Sequence, residues 1–187
     1  AIITLERHRS LRYSSSYDYS YLASKYNIPC HQIASINSTD TIQLLKSLNI
    51  DLLFVIGWSQ ILSSDALNQA SIGVVGSHAS LLPSYRGSAP INWALLNGLE
   101  YTGNTLLWLD SSVDSGDIIS QIRIDISPYD DCCSLYSKVA SANSFLIKSF
   151  FLDAQRGVFP RLMQKNITEV LPRRKPEDGL IDWNQSA

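Results

Sequence analysis

The chain has 187 residues, enough for one well-packed domain and marginal for two. Apolar residues make up 45% and charged residues 17%, which supplies a core and excludes a disordered composition. A formal net charge of −2 argues against broad electrostatic capture of nucleic acid, which a basic surface would signal. The three cysteines, Cys30, Cys132 and Cys133, lack metal-ligand spacing and read as reduced thiols of a cytoplasmic protein. No apolar run reaches about eighteen residues and no charged-then-apolar leader opens the chain, so neither a membrane nor secretion is expected. The chain opens on Ala1 inside a strand-like run and closes on Asp182 to Ala187, which reads as the lead-in to another helix, so the natural protein is expected to be longer on both sides.

In chain order, the run Ala1 to Leu5 reads as a strand. Leu22, Ala23 and Tyr26 at helical spacing mark a helix between Tyr17 and Asn27, which Pro29 closes. Ile28 to Ile33 reads as a short strand. Ser38-Thr39-Asp40 is an N-cap cluster for a helix through Leu48, with Ile42, Leu44, Leu45 and Leu48 as its apolar face. Leu52 to Ile56 is a continuous apolar run of strand length that stops at Gly57-Trp58, as expected of a strand covered on both faces. Ile72 to Val75 is the next such strand and ends at Gly76-Ser77-His78. Ser88-Ala89-Pro90 caps a helix from Ile91 to about Asn97. Asn104 to Leu109 and Asp117 to Ile126 read as two further strands, and Asp130-Asp131 starts a long helix to about Ala154. Beyond Pro160 the pattern weakens into a basic Pro172-Arg173-Arg174-Lys175-Pro176 segment. This alternation implies an α/β fold, a Rossmann-like, mostly parallel sheet with helices on both faces. In such sheets ligands sit outside the carboxyl ends of the strands, which puts Gly57-Trp58 and Gly76-Ser77-His78 on the functional rim.

The densest chemical signal runs from Gly73 to Gly98. His78 follows a buried strand in a polar, glycine-rich segment, and is either a proton-transfer group or a partner of a loop carbonyl. Asp110, Asp114 and Asp117 share one short loop; it does not match the calcium-loop spacing, and such aspartates more often cap turns. A carboxylate beside the imidazole would orient it, as in a triad without its serine.

These motifs, taken together, resemble the formyltransferase family, which includes methionyl-tRNA formyltransferase, glycinamide ribonucleotide formyltransferase and the sugar-nucleotide N-formyltransferases. The shared pattern is His78 followed by Ser80-Leu81-Leu82-Pro83, Tyr85-Arg86-Gly87 and Pro90, then Thr102-Gly103-Asn104-Thr105 and Asp114-Ser115-Gly116-Asp117-Ile118. The resemblance covers about Asp51 to Ile126. It implies 10-formyltetrahydrofolate as formyl donor, a primary amine as acceptor, no metal, and a catalytic set of asparagine, histidine and aspartate. Carried onto this chain, the set gives His78 and Asp114. The family asparagine falls on Gly76, so a backbone N–H there or the Ser77 hydroxyl would have to hold the oxyanion.

The resemblance further implies that Phe54, Ile56, Gly57, Trp58, Leu81, Leu82, Pro83, Asp110, Val113 and Asp117 border the folate. For several of these the residues leave a plainer reading open: Leu81, Leu82 and Pro83 as a packing turn, Trp58 as rim packing. Arg86 is expected either to meet an anionic acceptor or to pair with a carboxylate. Residues 1–160 are expected to be the catalytic domain, lacking the first strand and helix of the family, and 161–187 a linker to a C-terminal extension. Asn92-Trp93 and the tail from Pro172 to Trp183 resemble sugar-nucleotide formyltransferases, so a nucleotide-linked amino sugar ranks ahead of methionyl-tRNA as acceptor. A formyl-folate hydrolase or a non-catalytic folate-binding module stands as the alternative of another class, and a homodimer is left open.

Overall fold

The structure, a computed structural model, describes residues 1–11, 17–165, 170–181 and 183–184. Its class is α/β, as the alternation of elements predicts, and it divides into two compact units, Ala1–Val74 and Val75–Ala187. The expected boundary at 160 does not mark that division.

In the first unit β1 (Ile2–Leu5) leads through α1 (Arg7–Ser10) and α2 (Ser20–Lys25) to β2 (Cys30–Ile33). β2 pairs with β1 in parallel, Ile2 opposite Cys30 and Leu5 opposite Ile33. Helix α3 (Thr39–Ser47) starts where the sequence places its cap, the Ser38 hydroxyl accepting the Thr41 N–H. β3 (Ile50–Val55) follows, then α4 (Ser64–Leu67), whose N–H groups are capped by Ser63. β3 lies beside β4 (Ala70–His78), whose leading residues close this unit. Helices α1 and α4 have only four residues each, too short to show a period in the sequence.

In the second unit the trailing residues of β4 pair antiparallel with β5 (Tyr101–Trp108), Val75 opposite Trp108 and His78 opposite Thr105. β5 pairs antiparallel with β6 (Ile118–Asp125), Thr105 opposite Gln121. The loop from Asp110 to Asp117 is therefore the turn of a hairpin. β5 is internal to this sheet, and Thr102 through Trp108 are all buried. Helices α5 (Pro90–Leu96) and α6 (Cys132–Gln155) bury Ile91, Leu135 and Ala142 against Ile124 of β6. A second cluster joins Leu82, Leu107 and Ile118, with Leu109 packed against it. Beyond Pro160, Leu162 exchanges two backbone hydrogen bonds with Ile118, at 2.8 and 2.9 Å. Of the tail motif, Asp182 lies outside the described residues.

α6 opens on a capping box, Asp131 accepting the Ser134 N–H while Ser134 accepts the Asp131 N–H. Just ahead of it, Lys138, then the Ser127 N–H and the Ser134 hydroxyl converge on the Asp130 carboxylate and hold its pKa at about 2, below the ordinary 3.8. A depressed carboxylate pKa stabilises the fold above the ordinary value, and that contribution is lost as pH falls through about 2. Asp130→Asn is expected to lower the melting temperature near neutral pH, with the gap from the parent closing in acid. A gap of constant size across that range, read by thermal melts, would show that the charge at Asp130 does not hold the start of α6.

Candidate active site

His78 is the last residue of β4 and is 7% exposed. Its Nε2 lies 2.7 Å from the carbonyl oxygen of Tyr85, and its Nδ1 lies 3.3 Å from Oδ2 of Asp114. A carbonyl only accepts, so Nε2 carries the hydrogen in this pose; the ring donates to both neighbours when Nδ1 carries one as well. The loop carbonyl open in the sequence reading is thus that of Tyr85, on one nitrogen, and a carboxylate lies beside the other. Register explains how Asp114 gets there. β5 passes His78 at Thr105 and ends opposite Val75, and the hairpin loop that follows returns Asp114 to the imidazole. Asp114 makes the turn with φ of 51°, a left-handed conformation that aspartate tolerates better than most residues. Its Oδ2 also accepts the Gly87 N–H at 2.9 Å.

Arg86, expected at an anionic acceptor or a carboxylate, meets neither in the hydrogen bonds it makes to this loop. It is 7% exposed, and both Nε and a terminal guanidinium nitrogen donate to the carbonyl of Val113, tying the turn carrying Gly87 to the loop carrying Asp114. Gly87 sits at φ of 99°, where a Cβ would come within 2.6 Å of Val170 and 2.8 Å of the Leu171 carbonyl oxygen. Its lack of a side chain is what lets residues 170 and 171 lie against it, Leu171 pairing with Gly87 in a parallel bridge.

Within the loop, Asp110 closes a turn, its Oδ1 accepting the Ser112 N–H at 2.9 Å and the Ser115 hydroxyl at 2.8 Å. Asp117 contributes its backbone carbonyl to Trp108 N–H at 2.8 Å. Gln164 has no counterpart in the sequence reading. It is 7% exposed, and its Nε2 donates to the carbonyls of Asp114 at 2.9 Å and Gly116 at 2.7 Å. An isolated glutamine after Met163 has no motif or period around it, so nothing in the sequence singles it out.

At Gly76, where the resemblance would put an asparagine, the space is not empty. A Cβ built on Gly76 would lie 2.5 Å from Cδ2 of Leu109, so the leucine side chain covers the strand there. Ser77 does not supply a replacement donor to the His78 face. Strand alternation turns it to the opposite face, where its hydroxyl donates to Oδ1 of Asn104 at 3.1 Å. Asn104 in turn donates to Asn143 of α6.

The Ser80-Leu81-Leu82-Pro83 segment is fixed from below by Thr105, which donates to the Ser80 carbonyl and accepts from the Leu82 N–H and from Gln121. Leu82, expected at a folate wall, is 4% exposed and belongs to the core with Leu107 and Ile118. Leu81 packs across Gly103, where a Cβ would lie 2.3 Å from Leu81 Cδ2, and the Leu82–Pro83 peptide is cis. Phe54, Ile56, Gly57 and Trp58 lie in the first unit. There Phe54, Ile56 and Trp58 line a cavity of about 80 Å³ with Ile3, Ile36 and Leu62, and Gly57 turns with φ of 62°. The Trp58 Nε1 is buried and has no hydrogen-bond partner among the described residues. The second unit thus brings together His78, Asp114, Arg86 and Val113, and Asp110 and Asp117 frame the loop.

Residues 13–149 match the family model described as Formyl transferase. A methionyl-tRNA formyltransferase of Geobacter metallireducens is 36% identical over 165 residues, 88% of this chain and 53% of that protein. The bifunctional polymyxin resistance protein ArnA of Wigglesworthia glossinidia brevipalpis is 36% identical over 172 residues, 87% of this chain and 25% of that protein. The chain thus spans about half the length of the methionyl-tRNA formyltransferases it matches. Among solved structures, the formyltransferase PseJ from Anoxybacillus kamchatkensis, in complex with UDP-4,6-dideoxy-4-formamido-L-AltNAc and tetrahydrofolate, has a TM-score of 0.67. That likeness covers 95% of this chain and 86% of the other at 19% identity, and is one of fold.

Two glycines of the site separate backbone from side-chain crowding. A Cβ at Gly116 would lie 1.8 Å from the Trp108 carbonyl oxygen, whereas one at Gly76 would meet only the end of the Leu109 side chain. Gly116→Ala is expected to cost about 3 kcal/mol or more and Gly76→Ala about 1 kcal/mol, measured by denaturant unfolding. Equal losses would show that Leu109 is as immobile as backbone.

Proposed function

The chain belongs to the formyl transferase family, and from that premise we propose that it carries the catalytic core of an enzyme moving the formyl group of 10-formyltetrahydrofolate onto a primary amine. The observation that carries this reading is the buried contact between His78 and Asp114 at the end of β4. The amine nitrogen attacks the formyl carbon, the carbonyl oxygen takes up negative charge, and the bond from carbon to the folate nitrogen breaks. The amine gives up one proton and the departing nitrogen gains one, so an N-formyl amine and tetrahydrofolate result. His78 handles that proton or faces the oxyanion, and for either task Nε2 exchanges the Tyr85 carbonyl for the reacting groups. Asp114 keeps the ring in register from the other nitrogen. In the first unit, an unpartnered indole N–H beside apolar walls suits one edge of a flat heteroaromatic ring, which accords with a folate donor.

For the acceptor we favour a nucleotide-linked amino sugar. The net charge of −2 gives little general attraction for a polyanion, and the Asn92-Trp93 and Pro172–Gly179 segments resemble those of sugar-nucleotide enzymes. Methionyl-tRNA is the second reading, motivated by relatives of that name at 34 to 36% identity.

The test uses the full-length protein with 10-formyltetrahydrofolate, following tetrahydrofolate release with nucleotide-linked amino sugars, with methionyl-tRNA, and with no amine. Release that needs a sugar amine supports the proposal, and release that needs methionyl-tRNA replaces its acceptor. Release without an amine indicates a hydrolase, and folate binding without release a binding module. His78→Ala and Asp114→Asn are each expected to lower turnover by about 100- to 10,000-fold while folate binding, by titration, stays near the parent value. Retained turnover in either variant removes that residue from the proposed role.

A further inference from the structure

Asp114 is gripped on two sides by chain that follows α6. On its backbone side, Gln164 Nε2 spends both hydrogens on the carbonyls of Asp114 and Gly116. On its carboxylate side, the Leu171 N–H donates to the Arg86 carbonyl at 2.7 Å, and the neighbouring Gly87 N–H donates to Asp114 Oδ2 at 2.9 Å. Residues 170–174 are themselves fastened to α5. Trp93 Nε1 donates to the Pro172 carbonyl at 3.3 Å, and the Arg174 guanidinium lies 5.4 Å from the Trp93 ring.

Two features separate this grip from ordinary packing. The Gln164 Oε1 is buried and has no partner among the described residues, so the amide carries an unsatisfied acceptor into the interior. Such a group carries a burial penalty that an apolar side chain of the same length would avoid. The amide's donor pair is therefore what the position uses. The contact it serves is also sensitive: Nδ1 to Oδ2 is 3.3 Å, the long end for a hydrogen bond, so a small drift of the loop breaks it.

We infer that Gln164 and Leu171 are positioning residues for the transfer, holding the Asp114 loop and carboxylate against His78, so that Gln164 and residues 170–174 belong to the active-site architecture. The inference rests on the reading of His78 and Asp114 given above. In the full-length protein, Gln164→Met is expected to lower kcat on the order of 10- to 100-fold, with KM for 10-formyltetrahydrofolate and the melting temperature near parent values. Leu171→Pro, which removes the N–H, is expected to lower kcat likewise, and Leu171→Ala, which keeps it, to recover the rate. If Leu171→Pro does not fold, Trp93→Phe loosens the same strap and is expected to give a smaller fall in kcat. The nitrogen resonances of the His78 ring, read by NMR without substrate, should move in Gln164→Met and stay put in Leu171→Ala. Unchanged kcat and unchanged His78 resonances in Gln164→Met overturn the inference. A parent protein without turnover defeats the transfer reading instead, and the resonances alone then decide whether Gln164 positions the pair.

Discussion

Oδ2 of Asp114 accepts the Gly87 amide and lies 3.3 Å from Nδ1 of the His78 ring, and the loops of the second unit converge on that oxygen. A single carboxylate oxygen set between a strand end and a turn couples their positions, because an ionised acceptor strengthens the hydrogen bonds it takes. The surrounding backbone is bent to reach it. Tyr85, Ala89 and Asp114 all have left-handed φ values without being glycine, and Gly87 lies between the first two. Each such residue costs on the order of 1 kcal/mol or more and persists only where its neighbours over-determine it. Arg86, buried against the Val113 carbonyl, is one such neighbour, and the bridge from Leu171 to Gly87 is another.

The platform beneath is β5, an internal strand that nonetheless carries Thr102, Asn104 and Thr105. Their polar groups are not scattered. Thr105 ties Ser80, Leu82 and Gln121 into one knot on the His78 face, and Asn104 ties Ser77 to α6 on the other. A buried polar network of this kind is stable only when its members are paired, and so it tolerates one register. A slip of one residue would turn Thr105 away from the Ser80 loop and expose its partners unpaired. The register of the sheet and the placement of His78 are thereby the same constraint.

How much of this was legible depends on whether a residue acts through its type or through its position. His78 and Asp114 could be found because an ordered string of motifs flanks them, and the Ser38 and Pro90 helix starts because capping is local chemistry. Gly87 and Gly116 were visible as motif letters, but the steric reason for the first lies far along the chain, at Val170 and Leu171, and for the second in how its own hairpin closes on Trp108. Leu82 stood between a folate wall and a packing turn, and Arg86 between an anionic acceptor and a carboxylate, because the burial of a turn is not written in its residues; both are buried. The antiparallel course of β5 and β6 was not legible, since alternation of strands and helices carries no direction. Gln164 left no trace, because a lone amide matters only once the loop beside it is in place.

Gly76 is where type and position have to be read together. The resemblance places a donor at this position where the chain has glycine, and a Cβ there would meet Leu109, which also packs on the Leu82, Leu107 and Ile118 cluster. Two consequences oppose one another. Loss of one preorganised donor costs about 100- to 1000-fold in rate where an oxyanion is stabilised. An apolar side chain in its place keeps water from that wall, and lower local polarity strengthens the interactions that remain. With Ser77 turned to the far face, those remaining interactions on the proposed reading are the backbone at Gly76 and the His78 ring. A site with fewer donors leans harder on the geometry of each, and His78 takes its geometry from Asp114.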